Sequence, residues 1–575
     1  MYWQHKLLVF CMTACLLCCD MSTDKQSFHV FTAPLLMMAV LCWLMSNFSE
    51  MFRIVLCAIV GEIIIAVCLV DCYCQIYLNS VMSPQILSTI LRSNASEVGE
   101  FLSSYVTFDI LLHWRISAIL ALMLLLLVPY NFCLDVIFLK VRPSLCHSIA
   151  KWILTACGIL VVVYEAMPAC RFVLLFSPEN DTQYTEKLIF CHYQEEVPTP
   201  VHRFVYSYYV LRQSVTTLKA IKEVTYSATL DSCMYKSPHI VLVIGESYNK
   251  HHSSIYGYQY PTTPHQQQRE KDGELIVFSN VVTPWNITSN VFLSMFSTWD
   301  CSMNENVNHY PLFPMLFRKA GYEVSYLSNQ YVLHGLHKTS TNQAGAFFLA
   351  DRELSDSLFS FRNDISFKYD MGIVCQLAQY AETSSWHAAH TLDIVHLIGQ
   401  HFSYDQRYPV EYNRFDGSYP WKSDLSMGEN DIVRHYDNAT YYDDAVLDSI
   451  VSLFEDDEAI VVFVSDHGEE VYDGLHVRGR LFGDITPLMA RNEYEVPMWI
   501  WCSQTYRNRH PDVFCQALNA KDQPFMTDDI PQLLFGIAAI FSPYYRPEHD
   551  LLSPSYQCKS RKIGGTTEYD RIVAE

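Results

Sequence analysis

Two domains of different class are predicted: an α-helical membrane domain of about five transmembrane helices, then an α/β globular domain whose mainly parallel sheet is covered by helices on both faces. Three observations carry this. Long apolar runs crowd into the first 175 of 575 residues. From about residue 238, strand-like runs alternate with helical ones, the pattern of an α/β sheet. Two continuous apolar runs, His239-Ile240-Val241-Leu242-Val243-Ile244 and Ala459-Ile460-Val461-Val462-Phe463-Val464, read as buried parallel strands, because a strand covered on both faces has no polar side to show.

Taken in order, the candidate spans are 7–19, 28–45, 51–69, 113–139 and 152–167. The third and fourth are long enough to cross a bilayer, and the fourth holds an uninterrupted apolar core over 118–128. The first is short, but no clean small-residue cleavage site follows it, so it is expected to be retained. Lys6, Arg53, Lys140, Arg142 and Lys151 flank the spans on one side and mark it as cytoplasmic. Five crossings then place everything after about residue 175 on the opposite side. Residues 176–237 read as a linker with an amphipathic helix over 201–221, and 238–575 as the globular domain.

Charge narrows the partners. Residues 1–175 hold 9 Lys+Arg and 10 Asp+Glu, about −1, so the remainder carries about −21 of the total −22. An acidic domain repels polyanions, which excludes nucleic acid as an expected partner and docking through a polybasic patch. Thirteen of the 20 Cys lie in the apolar part, where a small thiol packs between helices. The other seven show no Cys-x-x-Cys spacing and support no pairing.

Within the globular part, further strands are expected at 275–282, 322–328, 391–398 and 496–502, and helices at 312–319, 432–454 and 528–540. Chemistry in such sheets collects where the strands end. Immediately after the two apolar runs stand Ile244-Gly245-Glu246-Ser247 and Ser465-Asp466-His467-Gly468-Glu469-Glu470. Two carboxylates and an imidazole there can complete a zinc shell with a hydroxyl, leaving room for a substrate oxygen. Each string alone also has a plainer reading, since Gly-Glu-Ser can cap a helix and Asp-His can be a hydrogen-bonded pair.

Further strings accompany them: Ile90-Leu91-Arg92-Ser93-Asn94-Ala95-Ser96-Glu97, Ser254-Ile255-Tyr256-Gly257-Tyr258, Thr262-Thr263-Pro264, Leu327-Ser328-Asn329-Gln330, His396-Leu397-Ile398-Gly399-Gln400-His401, Tyr436-Asp437-Asn438-Ala439, Thr527-Asp528-Asp529 and Arg546-Pro547-Glu548-His549-Asp550-Leu551-Leu552-Ser553. In order and spacing, over nearly the whole chain, they resemble the bacterial inner-membrane phosphoethanolamine transferases of the alkaline phosphatase and sulfatase superfamily. The branch that modifies the lipopolysaccharide core is the most similar.

The resemblance implies a residue set. Thr288 in Val281-Val282-Thr283-Pro284-Trp285-Asn286-Ile287-Thr288 takes the nucleophile's place, although the spacer Trp285-Asn286-Ile287 departs from the usual Arg-Pro-Tyr and leaves Thr283 and Ser289 open. Glu246, Thr288, Asp466 and His467 are the implied zinc ligands. His401, then His476, are candidates for proton transfer and substrate binding, and Lys250 is a further substrate-binding candidate. His251 and His252 are expected in a solvated loop. The implied donor is phosphatidylethanolamine and the implied acceptor an envelope glycolipid, lipid A or lipopolysaccharide core. The implied location is the inner membrane, multi-pass, with the catalytic domain in the periplasm. A sulfatase would need Cys/Ser-x-Pro-x-Arg, absent around Thr288. A phosphoglycerol transferase or phosphodiesterase of the same superfamily, or an inactive membrane-anchored binding protein, are the alternatives.

Overall fold

The computed structural model describes residues 199–574 except 304, 331–346, 384–387, 402, 418–421, 476 and 481–484, and before them chiefly 29–45, 47–77 and 112–127. Two compact units result, Met1–Ser214 and Val215–Glu575. In the first, the described residues include the helices α1 (His29–Met45), α2 (Glu50–Tyr77) and α3 (Trp114–Leu127). Among the described residues one helix, over Met51–Ile76, is long and apolar enough to cross a membrane, and Trp114–Leu125 is a shorter apolar helix. Of the expected span 7–19, residues 10, 11, 13–15 and 17 are described and helical, with Cys11, Ala14 and Cys15 buried against α2 and α3, whereas 152–167 lies almost wholly outside the described residues, as does 128–139.

Packing in this unit joins Ile64, Ile65, Cys68 and Cys72 of α2 to Ile116 and Ile119 of α3. A polar chain runs through it. In the first turn of helix α4 (Pro200–Ser227) stands Arg203, whose Nε and Nη2 donate to the buried carboxylate of Asp71 on α2 at 2.9 and 2.6 Å. Gln75 Nε2 donates to the same carboxylate at 2.7 Å, and Arg115 Nη2 donates to Gln75 Oε1 at 2.8 Å.

The second unit is built on seven strands: β1 (His239–Gly245), β2 (Leu275–Phe278), β3 (Glu323–Ser328), β4 (Phe361–Arg362), β5 (Thr391–His396), β6 (Ala459–Ser465) and β7 (Met498–Cys502). They form one sheet in the order β2-β7-β6-β1-β5-β3-β4. The five strands from β6 to β4 are parallel, whereas β7 runs antiparallel to both β6 and β2. The sheet is therefore mixed, with one reversed strand. The expected single strand over 275–282 breaks after Phe278, where Ser279 N–H turns to the Lys521 carbonyl; Val281–Val282 then pair elsewhere.

Side-chain alternation explains how an unbroken apolar run serves both faces. Ile240, Leu242 and Ile244 of β1 join one core with Ile460, Val462 and Val464 of β6. On that face pack α5 (Thr288–Phe296) through Phe292 and Phe296, α6 (Phe313–Lys319) through Phe313 and Phe317, and, further along the chain, the helix Ile530–Ala538 through Leu533 and Leu534. Val241 and Val243 point the other way, with Val461 and Phe463. There they meet α7 (Met371–Ala381) through Ile373 and Leu377, and α8 (Met427–Ser452) through Val446 and Ile450. Helix α8 begins with a capping box, Ser426 and Glu429 each accepting from the other's backbone N–H.

Candidate active site

Register brings the two strings together. Gly245 of β1 pairs with Ser465 of the parallel β6, so Glu246 and Asp466-His467 leave neighbouring strands side by side at the same carboxyl edge. On the other flank Ile244 pairs with His396 of β5, and the loop that follows passes under Glu246, Gln400 N–H donating to the Glu246 carbonyl at 3.1 Å. Gly399 in that loop has φ +45°, and a Cβ there would lie 2.8 Å from the same carbonyl oxygen. Only glycine lets the backbones approach so closely.

Thr288 is the first residue of α5, after Ile287 in extended conformation. Its Oγ1 lies 3.2 Å from each Glu246 carboxylate oxygen and 3.2 Å from His467 Nε2. Glu246, Asp466, His467 and Thr288 are all buried, and ligand atoms of the first three lie within 4.8 Å of one another. The helix N-terminus adds a positive field at the threonine.

The donor set fits a metal ion of zinc's preferences. His467 Nδ1 lies 2.7 Å from the Gly468 carbonyl, so Nδ1 carries the proton and Nε2 presents its lone pair to the cluster. Asp466 accepts through Oδ1 from the N–H groups of Ser247 at 3.0 Å and His467 at 2.6 Å. Asp466 Oδ2 has no donor and faces His467 Nε2 at 3.2 Å. Two lone pairs that close repel unless a proton or a cation lies between them. One imidazole with oxygen donors suits zinc, whereas magnesium and calcium take oxygen alone.

Electrostatics sharpen the picture. Burial, and then the charge of Glu246, pushes the Asp466 carboxyl well above the usual range. Burial also opposes ionisation of Glu246, but the contact with His396 and the surrounding positive groups outweigh it and hold that carboxyl well below its usual range. His467 is pushed down to about 3 by burial and then by the Arg480 guanidinium, which keeps it neutral.

The other expected residues separate. His401 lies half-buried in the turn after β5, close enough for its charge to act on Glu246 and His467. Lys250 does not converge on Thr288: its ammonium pairs with Glu495 at 2.9 Å and donates to the Ser279 carbonyl at 3.0 Å. His251 also reaches Glu495, at 3.1 Å. His252 is not solvated, contrary to expectation, but wholly buried between Asp437 and Asp473. Thr283 is buried, its hydroxyl accepting from Thr527 at 3.2 Å. His476 and the side chain of Ser289 lie outside the described residues.

Three residues at the site had no role in the sequence reading. Gln330 Nε2 donates to Glu246 Oε2 at 2.9 Å and to the Leu397 carbonyl at 3.1 Å. His396 Nε2 stands 3.9 Å from Glu246 Oε2, with Nδ1 3.0 Å from Ser328 Oγ. Arg480 Nη1 donates to His467 Nε2 at 3.0 Å. Gln330 closes one recognised string and His396 opens another, each at a strand end, a usable signal; nothing local marks Arg480. A second acidic group, Asp300, Asp529 and His549, also gathers ligand atoms. Arg546 and Lys559 already neutralise it, Lys559 lying 3.4 Å from Asp300 and 3.0 Å from Asp529.

Comparison with known proteins agrees with this architecture. The sulfatase family model matches residues 238–538. Phosphoethanolamine transferase EptC of Escherichia coli O18:K1:H7 (strain RS218 / NMEC) is 25% identical over 543 residues, covering 92% of this chain and 88% of that protein. The crystal structure of the C-terminal periplasmic domain of E. coli EptC in complex with Zn superposes with a TM-score of 0.51 at 25% identity, covering 60% of this chain and 95% of that one. The integral membrane lipooligosaccharide phosphoethanolamine transferase A of Neisseria meningitidis shares the fold over 96% of this chain and 95% of its own, with a TM-score of 0.56 at 17% identity. With the Glu-Thr-Asp-His cluster at the carboxyl edge of a sheet of this order, the chain belongs to the sulfatase family, its full-length likeness running to the phosphoethanolamine transferases of the alkaline phosphatase and sulfatase superfamily.

Proposed function

We propose that this chain is a zinc-dependent phosphoethanolamine transferase that moves phosphoethanolamine from phosphatidylethanolamine to an envelope glycolipid, lipid A or lipopolysaccharide core. Residues 1–175 form about five membrane spans in this reading, 176–237 a linker, and 238–575 the catalytic domain in the periplasm. One observation carries it: the Thr288 hydroxyl at a helix N-terminus, 3.2 Å from both Glu246 oxygens and from His467 Nε2. The activity named for the relatives supports it.

Glu246, Thr288, Asp466 and His467 would hold the zinc. Bound there, zinc supplies Lewis acidity, favouring the deprotonated threonine and drawing charge from a phosphoryl oxygen. The protein residues do the rest. Thr288 Oγ1 donates to Glu246, which orients the hydroxyl; with the site loaded its proton would pass to solvent, so the oxygen attacks as the alkoxide and is released as the alkoxide in the second displacement. Oγ1 forms a bond to phosphorus as the bond from phosphorus to the diacylglycerol oxygen breaks, and diacylglycerol leaves with a proton from His401. A phosphoethanolamine ester of Thr288 remains. An acceptor oxygen then attacks phosphorus, the threonine oxygen leaves, and His401 takes the acceptor's proton.

Thr288→Ala in the full-length protein should lose transfer by several orders of magnitude with an unchanged melting temperature. Wild-type protein given donor alone should show a mass increase of one phosphoethanolamine on the peptide containing Thr288. Label on Thr283 or Ser289, or full activity of the Ala variant, overturns the assignment. Phosphoglycerol from phosphatidylglycerol on the same peptide would instead place the chain among phosphoglycerol transferases.

A further inference from the structure

Arg480 reaches the site by a short ribbon. After His467 the chain forms a strand at Glu470–Val471, turns, and returns at Arg478–Gly479, Arg478 opposite Val471 and Gly479 opposite Glu470. The next position, 480, therefore falls opposite Glu469 and back beside His467. The ribbon is anchored from several sides. Asp473 accepts from His252 Nε2 at 2.8 Å and pairs with Lys422 at 3.3 Å, while Asn492 Nδ2 donates to Glu470 Oε2 at 2.7 Å.

What the guanidinium contacts is informative. Nη1 donates to His467 Nε2 at 3.0 Å, the same lone pair that a metal ion would use. One lone pair cannot serve both. Metal binding releases Nη1 while leaving the arginine at the edge of the cluster, half-buried and so within reach of a ligand from solvent. In charge terms, a divalent ion offsets the Glu246 and Asp466 carboxylates. An ionised threonine and an incoming phosphodiester then add two negative charges, and a guanidinium is the group that matches a phosphoryl face with two parallel N–H donors.

We propose that Arg480 is a catalytic residue that binds a non-bridging oxygen of the phosphoryl group Thr288 attacks. The assignment rests on the transfer reading above for the identity of the phosphoryl group, but not for the existence of the anion site.

The test uses full-length protein and Arg480→Met and Arg480→Lys variants, with inorganic phosphate as the probe. Zinc content and zinc affinity are measured first, by metal analysis and chelator competition. Both variants should retain zinc at wild-type affinity or better, because a competitor for the His467 lone pair has gone. Phosphate binding to the zinc-loaded protein, read by calorimetry, should weaken about tenfold or more in the Met variant and less in the Lys variant. Turnover of a water-soluble phosphoethanolamine ester should fall about 100-fold in the Met variant. Unchanged phosphate affinity in zinc-loaded Arg480→Met overturns the proposal. So does loss of zinc from both variants, which would make Arg480 a support of the ligand set. If wild-type protein transfers no phosphoethanolamine yet the Met variant still loses phosphate, the donor assignment fails and the role of Arg480 stands.

Discussion

At position 252 an imidazole lies between two carboxylates, 2.6 Å from Asp437 and 2.8 Å from Asp473, with no exposure to solvent. Burial works against its charge, but the two carboxylates outweigh it and raise the imidazole to about 10. A raised histidine stabilises the fold fully below its ordinary value near 6.5, and that contribution fades as pH rises through about 10. The melting temperature should therefore fall between pH 7 and pH 10, and His252→Gln should flatten this slope while lowering stability at pH 7. An identical slope in the variant would assign the alkaline loss to other groups. Sequence alone made Glu246, Asp466 and His467 visible, because each directly follows an apolar run, and Thr288 stood out through the string before it. His252 looked like a loop residue since its partners lie about 185 and 221 positions away. Arg480 was hidden for a different reason: its partner is only 13 positions away, but the two-residue ribbon that delivers it is too short to leave a pattern.

Among elements, the strands were the most legible. Expected strands at 322–328, 391–398 and 496–502 match Glu323–Ser328, Thr391–His396 and Met498–Cys502 within two residues, because each is a short segment carrying β-branched or aromatic residues. Direction was not legible. The run of β7 is as apolar as that of β6, and hydrophobicity does not record that β7 lies antiparallel between two partners. Polar helices such as Pro264–Lys271 also escaped notice, their contact face being too narrow to show a period. In the first unit the Asp71–Arg203 pair ties α2 to the start of α4 where both side chains are buried. Asp71→Ala strands a buried guanidinium and should cost about 3–5 kcal/mol. Adding Arg203→Met should recover much of the loss, a coupling that a double-mutant cycle on detergent-solubilised protein measures directly. Simple additivity of the two changes would mean that the pair contributes little.

For the whole molecule, every residue of the candidate site lies beyond 245, while the apolar helices α1 to α3 lie before 128. If the first part serves access to lipid, a chain beginning at Pro200 should still bind zinc and cleave a water-soluble phosphoethanolamine ester. It should lose most transfer from bilayer lipid, since pulling acyl chains into water costs about 0.8 kcal/mol per CH₂. Loss of soluble-ester cleavage in a folded, zinc-loaded truncation would give the membrane part a role in the chemistry itself. The pairing of Gly245 with Ser465 has a consequence for biogenesis as well. Two of the candidate metal-binding residues, Asp466 and His467, are made more than 200 positions after Glu246, and parallel strands so far apart in sequence close slowly. A growing chain that has not yet passed residue 467 has no complete ligand set. If the site takes a metal, its capture therefore waits until β6 has paired with β1, whereas β7, made about 30 residues later, need not yet be in place.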